Sequence, residues 1–266
     1  MLRDITLGQY YPGNSILHNS DPRTKIVLSF LYMIIVFLIK SYFGFISIAL
    51  FTLLAITASK IPLKFTLRGL KPILIIIIFA AFINIFTIPG RVIFEIVFLK
   101  VTYEGLDTAV KMSLRLIFLI SGASLLTLTT TPIRLTDGIE KLLKPFERIG
   151  LPAHEIAMMM TIALRFIPTL MEETDKIIKA QTSRGADFET GKLIDRAKSY
   201  IPVLVPLFIS AFRRADELAT AMEARCYRGG EGRTRMKQLK YTRSDALIFI
   251  FMIVFSLWII VLEYLI

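Results

Sequence analysis

Two arginines in similar local sequences are the residues of this chain best suited to bind a charged partner. They stand at the centres of Ser183-Arg184-Gly185 and Ala224-Arg225-Cys226, 41 residues apart. Each follows a long stretch of helical apolar spacing and precedes a break, so both are predicted at helix C-termini. An arginine there can simply complement the helix dipole, a contribution of ~0.3–1 kcal/mol, or it can bind a partner carboxylate bidentately. The duplication favours the second role, with two equivalent acidic sockets on a partner.

Residue types that usually carry enzyme or metal chemistry form no catalytic pattern in this sequence. There is no G-x-x-x-x-G-K-[ST] phosphate-binding loop. His18 and His154 lack the i, i+4 partner of a helical zinc site, so surface or helix-capping roles are expected. Cys226 is the single cysteine, which excludes an intramolecular disulfide, and its expected role is packing. We therefore expect a non-catalytic chain that binds no metal and no cofactor of its own.

Four methionines fall on the stretch that ends at Arg184: Met158, Met159, Met160 and Met171. They can pack in a core at the membrane surface. They can also form a deformable binding surface, because the flexible methionine side chain repacks against partners of different shape.

The elements that must position these residues are those of a membrane protein. The chain has 266 residues, of which 55% are hydrophobic and 20% charged, and its net charge is +11. A soluble domain has about 45–50% apolar and about 25% charged residues, and the apolar excess here lies in uncharged runs such as 26–39 and 73–86. These runs do not alternate with polar residues, which disfavours a membrane β-barrel. The sequence predicts an all-α, polytopic helical membrane protein.

The apolar runs divide the chain into a membrane domain, a large insert and a final span. Residues 1–25 form a polar N-terminal segment without a signal-peptide pattern. About five transmembrane helices are predicted, at 26–39, 42–58, 72–88 and 113–130 within a membrane domain at 26–130, and within 245–266. Residues 92–101 are apolar but too few to span, so an interfacial or re-entrant piece is expected there.

The distribution of Lys and Arg sets the expected orientation. Lys60, Lys64, Arg68 and Lys71 crowd the loop at 59–71, and the insert at 131–244 contains 20 basic and 14 acidic residues. Cytoplasmic loops are enriched in Lys and Arg, so the N-terminus and the insert are predicted inside and the C-terminus outside. The spans contain almost no ionisable residues, which argues against a self-sufficient carrier.

The insert is predicted to contain amphipathic helices. The apolar spacing indicates helices over 133–147, from Pro152 to Arg184, and from about Leu193 to Arg225. Gly185 stands where a left-handed glycine commonly ends a helix. Prolines inside the second and third helices predict bends.

At these residues the sequence resembles the transmembrane T components of energy-coupling factor (ECF) transporters, a class of ATP-binding-cassette importers. The opening Gly8-Gln9-Tyr10-Tyr11-Pro12-Gly13-Asn14-Ser15, followed by His18 and Asp21-Pro22-Arg23-Thr24-Lys25, is similar to the start of that family. Ser183-Arg184-Gly185 and Ala224-Arg225-Cys226 are similar to its two X-Arg-X coupling motifs. The flanking Ser183 and Cys226 depart from the more usual Ala-Arg-Gly or Ala-Arg-Ser, but both arginines are present.

The resemblance implies an L-shaped scaffold in a prokaryotic plasma membrane, with coupling helices in the insert. Arg184 and Arg225 would each dock into one of two cytoplasmic ATPase subunits, which would hold the ATP and the magnesium. The coupling helices would hold an exchangeable substrate-binding membrane protein, the S component, with the four methionines as candidate contacts. Closure of the ATPases would reorient the S component, which would release a vitamin or a metal ion inside.

The alternative is a membrane-integral enzyme or assembly factor whose basic insert binds lipid headgroups or RNA. The 14 acidic residues among the 20 basic ones of the insert disfavour this alternative, as does the lack of an aromatic stacking platform. No nucleic-acid partner is therefore expected. The sequence leaves open the transported substrate and whether the two ATPases are identical.

Overall fold

A computed structural model describes residues 10–96, 99–188, 190, 192–229 and 238–265. The described chain divides into two compact units. One consists of the residues from Glu140 to Gly229, and the other of those from Tyr10 to Ile139 together with Gln238–Leu265. Gly8 and Gln9, the first two residues of the opening motif, lie outside the described residues.

Seven helices and one hairpin build the larger unit and its boundary. They are α1 Ile16–Asn19, α2 Pro22–Leu38, α3 Tyr42–Ser59, α4 Leu63–Thr87, β1 Val92–Ile96, β2 Leu99–Thr102, α5 Tyr103–Thr129, α6 Pro132–Leu143 and α10 Arg243–Leu265. The boundary between the units falls within α6. The insert contains a 3-10 turn at Lys144–Ile149, α7 Ala153–Ser183, α8 Leu193–Ser199 and α9 Ile201–Ala224.

Among the described residues, four helices are long and apolar enough to cross a membrane: α3, α4, α5 and α10. The all-α polytopic membrane fold is therefore confirmed. The predicted span at 26–39 corresponds to α2, which has 17 residues and is shorter than these four. Two boundaries differ from the prediction, because α4 begins at Leu63 rather than residue 72 and α5 at Tyr103 rather than residue 113. Both helices start earlier than predicted because each begins with a turn that contains charged residues. Such residues interrupt the apolar run, but the helix includes them.

The core of the membrane unit lies where α2, α3, α5 and α10 meet. Ile35, Ile48 and Ile259 are almost fully buried in it. The Tyr32 hydroxyl lies 2.8 Å from Thr52 Oγ1 and donates to the Phe118 carbonyl at 3.2 Å. α5 approaches Tyr32 closely at Gly122, where a Cβ would lie 2.4 Å from Tyr32 Cε1. A small residue at a helix crossing is typical of membrane helix packing.

The described residues of the segment at 92–101, expected as an interfacial or re-entrant piece, form two antiparallel β-strands. β1 pairs with β2, with Glu95 opposite Lys100. Three successive apolar side chains of β1, those of Val92, Ile93 and Phe94, are exposed. The β-branched and aromatic composition of the segment suits a strand, and the hairpin links the end of α4 to the start of α5.

His18 is buried, which corrects the expected surface role. Its side chain lies 2.7 Å from Ser15 Oγ and 3.0 Å from the Tyr11 carbonyl oxygen. The His18 carbonyl accepts a hydrogen bond from the buried Lys25, whose Nζ also donates to the Thr129 carbonyl. These bonds tie the N-terminal segment to the end of α5.

Candidate functional site

The two arginines follow the last residues of α7 and α9, which pack against each other in antiparallel directions. Glu173 on α7 forms a 2.8 Å ion pair with Arg214 on α9. Toward the end of α7, the Gln181 side chain donates to the Pro202 carbonyl at 3.4 Å, near the start of α9. Toward the start of α7, Met158 lines the same groove as Arg225. Residue numbers therefore rise along one helix as they fall along the other.

Arg184 and Arg225 occupy the same structural position at the ends of these helices. Each is the C-cap residue, with φ and ψ of −88° and 5° for Arg184 and −91° and 14° for Arg225. In both cases the amide two residues after the arginine donates to the carbonyl three residues before it, at 3.0 Å (Ala186 to Gln181, Tyr227 to Met222). This is the Schellman arrangement, so the similarity of the two tripeptides extends to their backbone conformation.

The residue after each arginine has a left-handed backbone. Gly185 has φ of +90°, as the sequence predicts, and Cys226 has φ of +55°. A side chain in this conformation costs about 1–2 kcal/mol, and the motif at Arg225 nevertheless forms the same cap. Cys226 is exposed, which corrects its expected role as a packing residue.

Both guanidinium groups are available to a partner. Arg184 and Arg225 are exposed, and within the described part of the chain neither side chain has a recorded ion pair or hydrogen bond. Because Met158 lies opposite Arg225, the distance between the arginines is close to the length of α7 from Met158 to Arg184. At 1.5 Å per residue this is ~40 Å.

The surroundings of the two arginines differ. Arg225 borders a groove of about 460 Å³ whose floor is partly apolar. The groove is lined by residues from both helices, among them Met158, Ile162, Leu218 and Met222. Arg184 instead lies three residues after Gln181, whose side chain donates a hydrogen bond to the Pro202 carbonyl. That carbonyl lacks its usual i+4 donor, because residue 206 is a proline without an N–H.

The Glu173–Arg214 ion pair is an electrostatic contact between the two helices. The Ser210 hydroxyl donates to Glu173, and this bond together with the Arg214 guanidinium lowers the pKa of the Glu173 carboxyl, against an opposing effect of burial. Both side chains of the pair remain about one-third exposed or less. The bond joins the middle of α7 to the middle of α9.

One face of α9 is apolar and exposed. It consists of Ile201, Leu204, Val205, Phe208, Ile209 and Phe212, whose side chains are 47–70% exposed. Their spacing is that of a single helical stripe, while Val203, on another face, is buried. The apolar spacing is visible in the sequence. The sequence does not show that α7 packs against another face of α9 and leaves this one exposed.

The structure separates the predicted methionine cluster. Met159 and Met160 are exposed, whereas Met158 and Met171 are half-buried. Met158 contributes to the groove beside Arg225, so it does not share a surface with its two neighbours in sequence. The role of all four in partner binding stays a prediction.

The chain is similar to known proteins over nearly its whole length. The family model described as "Cobalt transport protein" (CbiQ) matches residues 13–236. Proteins named energy-coupling factor transporter transmembrane protein EcfT are similar over nearly the whole chain. The relative from Ruminiclostridium cellulolyticum is 66% identical over 264 residues, 99% of each chain. The relative from Thermosediminibacter oceani is 61% identical over 249 residues, 94% of each chain. The Bacillus subtilis relative is 49% identical over 257 residues, 96% of this chain and 97% of its own. This chain therefore belongs to the EcfT/CbiQ family, the transmembrane components of energy-coupling factor transporters.

Proposed function

We propose that this chain is the energy-coupling scaffold of an ABC-type ECF importer in the prokaryotic plasma membrane. Two cytoplasmic ATPase subunits bind it, one at Arg184 and one at Arg225. The observation that carries this proposal is the pair of identical helix caps, each presenting an exposed arginine without a partner in the described chain. The alternative of a basic insert that binds lipid headgroups or RNA does not account for two matched caps.

The separation of the arginines supports docking of two subunits. Two sites ~40 Å apart along α7 can each be occupied by a separate protein, whereas neighbouring sites would compete. The residues that flank the two arginines also belong to the proposed contact with the ATPases, because they form the two helix caps. They are Ser183, Gly185, Ala224 and Cys226. The coupling chain binds no cofactor itself, and ATP and magnesium are held by the ATPase subunits.

The apolar face of α9 is the surface proposed for the S component. Six exposed apolar side chains in one stripe form a surface that water solvates poorly. A hydrophobic membrane protein covers such a face favourably. Met159 and Met160 offer adaptable contacts to exchangeable S components. Movement of α7 and α9 by the ATPases then reorients the S component, which releases a vitamin or a metal ion inside.

The basic residues support a cytoplasmic N-terminus and an external C-terminus. Four basic residues lie at the junction of α3 and α4: Lys60, Lys64, Arg68 and Lys71. Because cytoplasmic loops are enriched in Lys and Arg, this junction is assigned to the cytoplasm. An odd number of spans, with α2 as the first, then puts the two termini on opposite sides. In this arrangement the insert lies on the side where ATP is available.

Purification from the native membrane tests the proposal. Tagged wild type is expected to retain two ATPase subunits and a small hydrophobic protein. Arg184→Ala/Arg225→Ala is expected to lose the ATPases, because truncating one member of a desolvated charge pair costs ~2–5 kcal/mol. Lys179→Ala/Arg213→Ala is the matched control, since both residues are exposed cations on the same helices away from the caps. Equal retention by wild type and both variants would reject the two-socket mechanism.

A further inference from the structure

The first helical turns of α4 form a basic surface without acidic partners. Lys64, Arg68 and Lys71 are exposed, and Lys60 caps the preceding helix just before them. No Asp or Glu occurs in the sequence between Asp21 and Glu95. In the described part of the chain, none of these four cations forms an ion pair.

These cations continue into an apolar stripe on the same face of α4. The positions 64, 68, 71, 75, 78 and 82 alternate steps of four and three, so they share one side of the helix. The first three are cations, and the last three are Ile75, Ile78 and Phe82, which are 75%, 59% and 56% exposed. The stripe therefore presents positive charge over its first ~10 Å and hydrocarbon over the next ~10 Å.

We propose that this stripe, defined by Lys64, Arg68, Lys71, Ile75, Ile78 and Phe82, binds an anionic phospholipid. The phosphate lies against the three cations, and an acyl chain lies along the apolar half. A single amphiphile matches both halves in the order in which the helix presents them. An acidic protein surface would match only the charged half and would leave the three apolar side chains uncovered.

The location of the stripe agrees with a lipid-facing helix. Only 6% of the apolar part of α4 is buried, compared with 33% for α3. The basic residues lie at the end where α3 stops and α4 starts, which is a membrane surface whichever side it faces. Arg68 is held 5.5 Å from the Phe65 ring, and such a cation–π contact limits the positions of the guanidinium. Basic residues that only determine the orientation of a membrane helix do not have to lie on one face of it. They also do not have to share that face with exposed apolar side chains.

Lipid retention by the purified full-length chain tests this inference. The protein is exchanged into detergent containing equal amounts of phosphatidylglycerol and phosphatidylcholine with the same acyl chains, and bound lipids are counted by native mass spectrometry. Wild type is expected to retain phosphatidylglycerol preferentially. Lys64→Gln/Arg68→Gln/Lys71→Gln is expected to weaken that binding about tenfold or more, because each cation near an anionic headgroup contributes a several-fold factor.

Two further variants separate the stripe from general charge effects. Lys64→Arg/Arg68→Lys/Lys71→Arg keeps the charge and is expected to retain the lipid. Lys176→Gln/Lys179→Gln/Lys198→Gln removes three exposed cations from the insert and is expected to have no effect on retention. Equal losses in the stripe and insert variants would overturn the proposal, as would an absence of any preference in wild type. Competition by millimolar inorganic phosphate would also overturn it, because a free anion would then be the ligand.

Discussion

The antiparallel packing of α7 and α9 makes a prediction about distance that spin labels can measure. Cys226 is the single cysteine and is exposed, so one added cysteine defines one labelled pair. Ser183→Cys puts the second label beside Arg184, at an exposed position. Pulsed electron paramagnetic resonance on this variant then measures the separation of the two caps.

The expected distance follows from the helix that separates the labels. Cys226 and Met158 line the same groove, and Ser183 follows Met158 by 25 residues of continuous helix. At 1.5 Å per residue the separation is ~38 Å, shortened slightly by the bend expected at Pro168. We expect a distribution centred at about 35–40 Å. A second variant, Glu155→Cys, lies at the other end of α7 and is expected to pair with Cys226 below about 20 Å.

If α7 and α9 were not antiparallel, the two measured distances would be reversed. Parallel packing would bring Ser183→Cys close to Cys226 and move Glu155→Cys away. Ile201→Cys provides the calibration, because Ile201 is the first residue of α9 and its distance to Cys226 does not depend on how α7 packs. A short distance for Ser183→Cys would refute the spacing of the two sockets and with it the argument for separate ATPase subunits.

Two further predictions concern packing and charge. Gly122→Ala is expected to lower the unfolding free energy in detergent by ~1–3 kcal/mol, because the new Cβ meets the hydrogen-bonded Tyr32 ring at 2.4 Å. Gly69→Ala, whose Cβ meets only a rotatable serine hydroxyl, is the control, and an equal loss there would contradict the close-packing explanation. Glu173 has a lowered pKa in the fold, so its stabilising contribution is present at neutral pH and is lost as the pH falls through that pKa. Thermal unfolding of Glu173→Gln should therefore depend less on pH between about 5 and 3 than wild type, and an unchanged dependence would contradict this assignment.

Local patterns in the sequence predict the helices that carry the arginines. α7 ends at Ser183 and is followed by a left-handed Gly185, because glycine adopts that conformation without a Cβ penalty. The second cap is harder to predict, since Cys226 adopts the same region against its steric preference. Only the repeated arginine context indicated that the two ends are alike.

Local sequence patterns do not predict features that depend on contacts between residues far apart in the chain. The antiparallel pairing of α7 with α9 depends on contacts such as Glu173 with Arg214, 41 residues apart, and helical periodicity describes each helix without its neighbour. His18 is a different case, because the partners of its side chain, Ser15 and Tyr11, lie only three and seven residues earlier. A polar residue type alone favours exposure. The strands β1 and β2 were not predicted, because a short apolar run fits a strand and a helix equally well. An interfacial position of this segment stays a prediction.

The position of the prolines bears on how the α7–α9 pair could transmit motion between its two ends. Pro168 and Pro206 each remove a backbone hydrogen bond from one helix, and bends concentrate at such positions. The Glu173–Arg214 ion pair lies after the proline on both helices, so it joins the segments that follow the two prolines. At the Arg184 end, the carbonyl that Pro206 leaves without its helical donor accepts the Gln181 side chain, and the Gln181 carbonyl accepts the Arg184 amide. Gln181 therefore connects the cap at Arg184 to α9 at Pro202, four residues before Pro206. The apolar face of α9 at this point is the surface proposed for the S component.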